Sequence, residues 1–195
     1  MKVGLYFGSF NPIHTGHCII ASYIANNSSL DQVWLVVSPH NPFKPSASLL
    51  NEYHRLHLVN LALEGETRIK SSDIEFYLPK PSYTVDTLAY LKEKHPGHEF
   101  AIIMGSDSYQ NLPKWKNAGT IIRDHAIYIY KRPGFEIETL LDPRHEIMQA
   151  PLLEISSTQV RELVKQKKPI RYFVPDAVKD EIERNSYYRG YSTTT

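Results

Sequence analysis

Short runs of consecutive apolar residues, separated by stretches with helical spacing, leave this chain few folds to choose from. Val3-Gly4-Leu5-Tyr6-Phe7, Val33-Trp34-Leu35-Val36-Val37, Phe100-Ala101-Ile102-Ile103-Met104 and Ala126-Ile127-Tyr128-Ile129-Tyr130 have strand length and no polar alternation. Such runs belong to strands buried on both faces, which in practice means a mostly parallel sheet. A further strand is expected near residues 68–76. Between the runs, Cys18, Ile19, Ala21, Ile24 and Ala25 recur at helical spacing over about 15–27. Leu56, Val59, Leu61 and Leu63 do so over about 51–63, and Val85, Leu88, Ala89 and Leu91 over about 84–94. The expected fold is α/β, a mostly parallel central sheet flanked by helices in a single domain over residues 1–186. Residues 187–195 lack periodicity and read as a flexible tail. In such a sheet, ligands bind beyond the carboxyl ends of the strands. The loops after Phe7, Val37, Met104 and Tyr130 should therefore meet at one rim.

The 195 residues carry 22 basic and 21 acidic side chains, so no overall field attracts nucleic acid or an anionic membrane. Any bound anion must be held locally. Cys18 is the only cysteine, which excludes an intramolecular disulfide and fits a reducing compartment. No apolar run reaches bilayer length and no signal peptide is legible, so a cytoplasmic protein is expected.

The first strand stops at Gly8-Ser9-Phe10-Asn11-Pro12-Ile13-His14-Thr15-Gly16-His17. This is neither a P-loop nor the dinucleotide glycine pattern. His14 and His17 share one face at a helix start, where free N–H groups and the dipole already favour an anion. They suit hydrogen-bond donation to phosphate oxygens better than permanent charge. A polar helix start, or half of a metal site, remains an alternative for this loop alone. Ile155-Ser156-Ser157-Thr158-Gln159-Val160-Arg161 opens a second helix, with Ser156 and Gln159 as a capping box. Arg161 opposes the dipole there, and a bound phosphate would relieve the conflict. A solvated surface arginine is the plain alternative.

Together the two motifs resemble those of the nucleotidylyltransferase superfamily, and within it the bacterial nicotinate-nucleotide adenylyltransferases. The resemblance includes Asn41-Pro42-Phe43-Lys44, Pro81 to Leu88, Gly105-Ser106-Asp107, Trp115 and Arg132-Pro133-Gly134. The loop has Gly-Ser-Phe-Asn where many members have Gly-Gly-Thr-Phe-Asp. The resemblance implies a Rossmann-like nucleotidyltransferase fold and transfer of AMP from ATP to nicotinate mononucleotide, with pyrophosphate released. It implies catalytic roles for His14, His17 and Arg161. Gly8, Ser9, Phe10, Gly16, Arg132, Ser156 and Ser157 would bind ATP. Asn41, Lys44, Tyr83, Thr84, Asp107 and Trp115 would bind the nicotinate nucleotide. Mg2+ or another divalent ion would arrive with ATP, and no residue is assigned as a metal ligand. Thr84 reads as the N-cap of its helix, and such a start favours a carboxylate over an amide. Phosphopantetheine or nicotinamide mononucleotide as acceptor, and a non-catalytic nucleotide sensor, are the competing readings.

Overall fold

β1 (Lys2–Gly8), β2 (Gln32–Val37), β3 (Ile69–Ser72), β4 (Glu99–Gly105), β5 (Ile127–Tyr130) and β6 (His145–Met148) pair in one 6-stranded sheet, in the order β3-β2-β1-β4-β5-β6. Every pairing is parallel. The computed structural model describes residues 1–39, 49–151 and 153–189. The helices are α1 (Thr15–Asn27), α2 (Glu52–Ala62), α3 (Thr84–Lys94), α4 (Ser106–Asn111), α5 (Ala118–Asp124), α6 (Ser157–Lys165) and α7 (Asp176–Arg184).

The unbroken apolar runs are explained by cover on both faces. Tyr6, Leu35, Ile103 and Tyr128 pack in one layer with Ile24 of α1, Leu58 of α2, Val160 of α6 and Val178 of α7. Leu5, Val36, Ile102 and Ile129 pack in the other with Leu88 of α3, Tyr109 of α4 and Ile121 of α5. Each fully buried side chain of this kind contributes about 1.5–3 kcal/mol over its exposed state. The chain winds outward from the centre in both directions, so strand order reverses between β1 and β4. That reversal is where a parallel sheet leaves a crevice at its carboxyl edge. Among the described residues no helix is long and apolar enough to cross a membrane.

Several local expectations change. The strand expected over 68–76 ends at Ser72, and a 3-10 turn follows over Ile74–Tyr77. In α3, Ala89 is exposed and Thr87 is buried in its stead, because the Thr87 hydroxyl donates to the buried Glu75 carboxylate at 2.9 Å. Tyr187 and Tyr188, assigned to the tail, pack against the first layer. The Tyr187 hydroxyl meets His54 Nδ1 at 2.9 Å.

Candidate active site

Beyond Gly8 the chain turns sharply through Phe10, whose φ of 44° is left-handed. That conformation is costly for a side chain of this size and persists only where its surroundings enforce it. The Phe10 ring is 2% exposed, edge-on to both Tyr6 and His17. The ring of Phe10, a residue expected to bind ATP, thus packs under His17.

His14 is the N-cap of α1 and is 5% exposed. Its ring stacks on that of His17 with centroids 3.6 Å apart. Gly16 makes room for this ring, since a Cβ there would lie 3.0 Å from His14 Nδ1. Burial, followed by the nearby Arg132 charge, lowers the His14 pKa to about 4. The ring is therefore neutral at pH 7. His17 Nδ1 accepts the backbone N–H of His14 at 3.3 Å. An accepting Nδ1 leaves the ring proton on Nε2, where it can be donated to an anion. At His14 burial, with the Arg132 charge, is the cause of the lowered pKa, where the sequence pointed to the helix dipole.

The start of α6 is stitched to this turn. Ser157 Oγ donates to the Pro12 carbonyl at 2.9 Å, and Arg161 Nη1 to the Asn11 carbonyl at 2.8 Å. Arg161 Nη2 also reaches Thr158 Oγ1 at 3.2 Å. Arg161 thus answers a backbone carbonyl as well as facing the helix start, which removes the conflict that pointed to phosphate alone. Ser156 is the N-cap of α6, its Oγ accepting the Gln159 N–H at 3.2 Å, which leaves its own proton available.

A cavity of ≈ 220 Å³ opens between these two helix starts, lined by His14, Gly16, His17, Arg132 and Ser156. Arg132 approaches from the segment after β5. Its backbone N–H donates to the buried Ser106 hydroxyl at 2.9 Å, and its Nε lies 3.7 Å from Asp107 Oδ1. Among the described residues Asp107 Oδ1 is shielded from solvent and has no hydrogen-bond partner, its nearest cation being Arg132. The close passage needs Gly105, where a Cβ would fall 2.4 Å from that oxygen.

Tyr83, Thr84 and Trp115 form a second group, outside the lining of this cavity. Tyr83, not Thr84, is the N-cap of α3; its carbonyl accepts from Asp86 and Thr87 N–H groups at 2.9 and 3.1 Å. Thr84 is the first helical residue, so its N–H and that of Val85 still have no acceptor within the helix. Lys116 joins the two segments, 2.7 Å from Asp86 Oδ2 and 4.8 Å above the Tyr83 ring. Trp115 is half-buried against the second core layer. Asn41 and Lys44 lie outside the described residues.

Arg55, Glu75 and Lys116 escaped the sequence reading. Arg55 had a visible signal, a charge four residues before Val59 on the apolar stripe of α2. Among the described residues no group of three or more His, Cys, Asp or Glu side chains could hold a metal ion.

A doubly wound parallel sheet with two helix starts meeting at its carboxyl edge has the architecture of nucleotide-binding α/β proteins. The model of the cytidylyltransferase-like family matches residues 5–163. A Flavobacterium psychrophilum protein described as "probable nicotinate-nucleotide adenylyltransferase" is 50% identical over 192 residues, covering 97% of this chain and 100% of that protein. A Flavobacterium johnsoniae protein of the same description is 49% identical over 192 residues, with 97% and 100% covered. The Plasmodium falciparum nicotinic acid mononucleotide adenylyltransferase complexed with NaAD shares the fold, with a TM-score of 0.81, 23% identity and 96% of this chain and 97% of that one covered. The chain belongs to the cytidylyltransferase-like family, and within it to the nicotinate-nucleotide adenylyltransferases.

Proposed function

We propose that the protein joins the AMP part of ATP to the phosphate of nicotinate mononucleotide, giving deamido-NAD and pyrophosphate in the biosynthesis of NAD. The observation that carries this reading is the pairing of two helix starts about one turn, with His17 Nε2–H and the Ser156 proton beside one cavity. A phosphate oxygen of the mononucleotide attacks the α-phosphorus of ATP as the bond to the bridging oxygen breaks, and pyrophosphate leaves. No side chain forms a covalent bond, so the rate rests on alignment and on donors to the spread negative charge. His14 and His17 donate at the α-phosphate. Ser156, the first-turn N–H groups of α6 and the charges of Arg132 and Arg161 face the departing β- and γ-phosphates. The Asp107 oxygen accepts from a ribose hydroxyl. The free N–H groups of Thr84 and Val85 suit the nicotinate carboxylate, and Trp115 offers a face to its ring.

The described residues supply no carboxylate or histidine cage for a divalent ion. ATP would enter as its magnesium complex, with the phosphates as the ion's ligands. A cytoplasmic location belongs to the same reading and is supported by the single cysteine.

Pyrophosphate release with MgATP tests the reading, with nicotinate mononucleotide, nicotinamide mononucleotide or phosphopantetheine as acceptor. Release at least about tenfold faster with the first is expected, the value of one charge-assisted contact (~1.4 kcal/mol). Preference for the second would overturn the carboxylate argument, and preference for the third the choice of acceptor class. Silence with all three would leave a nucleotide sensor.

A further inference from the structure

Arg55 of α2 is fully buried, 0% exposed, yet it is a cation. Its guanidinium faces main-chain carbonyls from separate parts of the rim. Nη1 donates to Ser9 in the turn after β1 and, at 2.8 Å, to Ser38 after β2. Nη2 donates to Pro39 at 3.0 Å, and Nε to Leu50 before α2 at 2.8 Å. Arg55 forms no ion pair among the described residues, and segments 40–48 and 190–195 contain no Asp or Glu side chain. A buried cation without an ion-pair partner is unfavourable; the Glu52 carboxylate acts on it only from a distance, and neutral carbonyls offset the cost only in part. Its position explains why it is tolerated. The Ser9 carbonyl lies directly before Phe10, whose left-handed backbone re-aims the chain toward His14 and His17. The same turn is held from its other side by Arg161 on Asn11 and Ser157 on Pro12. The Leu50 N–H reaches Asn11 Oδ1 at 3.1 Å.

We infer that Arg55 is a positioning residue for adenylyl transfer: by binding the Ser9, Ser38, Pro39 and Leu50 carbonyls it fixes the turn that aims His14 and His17, and it sets a buried positive charge behind that turn. The geometry calls for arginine. A planar fork of N–H donors reaches carbonyls in several directions at once, whereas an ammonium on a flexible stem keeps the charge and loses the array. The two contributions therefore separate by substitution. Arg55→Lys misaligns the turn while preserving charge, and Arg55→Met removes both.

The inference rests on the adenylyl-transfer reading, so the native protein is assayed in parallel. Circular dichroism and thermal unfolding establish which variants fold. The kcat and the KM for MgATP are then measured with nicotinate mononucleotide as acceptor. For Arg55→Lys, kcat falls at least tenfold while the KM for MgATP rises less than threefold. For Arg55→Met, where it folds, the fall in kcat is joined by a rise of about tenfold in that KM. A folded Arg55→Lys protein with both parameters within twofold of native, whatever its melting temperature, would reduce Arg55 to a structural plug and overturn the inference. If Arg55→Met does not fold, Arg55→Lys decides alone. A native protein that releases no pyrophosphate refutes the adenylyl-transfer reading, a result distinct from an active native protein matched by its lysine variant.

Discussion

At His14 the ring is nearly fully buried and stacked on a second histidine, so adding a proton means placing a charge where neither solvent nor a carboxylate receives it. Burial, and then the Arg132 charge, lowers its pKa from 6.5 to about 4. Between those values the unfolded chain binds a proton that the folded protein refuses. The His14 contribution to stability is therefore complete above pH 6.5, is lost as pH falls toward 4, and changes no further below that. The loss is of order 3 kcal/mol. Denaturant unfolding at pH 7 and pH 4.5 measures it, and Arg144- and Asp142-flanked His145, also lowered by burial, cancels when the protein is compared with His14→Asn. The variant should lose less stability on acidification; an equal loss would place the acid sensitivity elsewhere. The placing of His14, His17 and Ser156 at two helix starts was legible in the sequence, because the apolar spacing that locates α1 and α6 begins just after them. That the Phe10 ring lies under His17 was not legible, because a residue's direction at a left-handed turn depends on tertiary packing.

The elements differ in how well their composition announces them. β1, β2, β4 and β5 are covered on both faces and read as unbroken apolar runs. β6 is an edge strand of four residues containing His145 and Glu146, with nothing to distinguish it from a loop. α4 and α5 are too short for helical periodicity, and in α7 only Val178 and Ile182 are buried. At α3 the sequence located the helix but not its support. Glu75 is 2% exposed and accepts hydroxyl protons from Ser82 and Thr87, both at 2.9 Å. It thereby holds the Tyr83–Thr84 segment from beneath. Glu75→Ala would take the acceptor from the Ser82 hydroxyl and leave that of Thr87 with the Tyr83 carbonyl at 3.3 Å, lowering stability by about 1–3 kcal/mol. Because α3 starts at the proposed nicotinate end, the KM for nicotinate mononucleotide should rise several-fold with that for MgATP little changed. Equal effects on both, or on neither, would remove α3 from acceptor recognition.

On the scale of the whole molecule, the sheet reverses its strand order between β1 and β4, and the reversal brings together groups more than a hundred residues apart in sequence. Arg161 and Ser157 bond the Asn11–Pro12 turn, and Arg132 and Asp107 close the same edge from β5 and β4. Parallel pairing and the rim could be read from apolar runs. The bonds across the rim could not, because backbone carbonyls carry no sequence signature. In the proposed reaction this arrangement serves alignment, and no described side chain takes the adenylyl group. A turnover with ATP made chiral at the α-phosphorus, and nicotinate mononucleotide as acceptor, tests this most directly. Deamido-NAD with inverted configuration is predicted, the signature of one displacement. Retention would mean two displacements through an adenylylated side chain, His17 foremost, and would contradict the account.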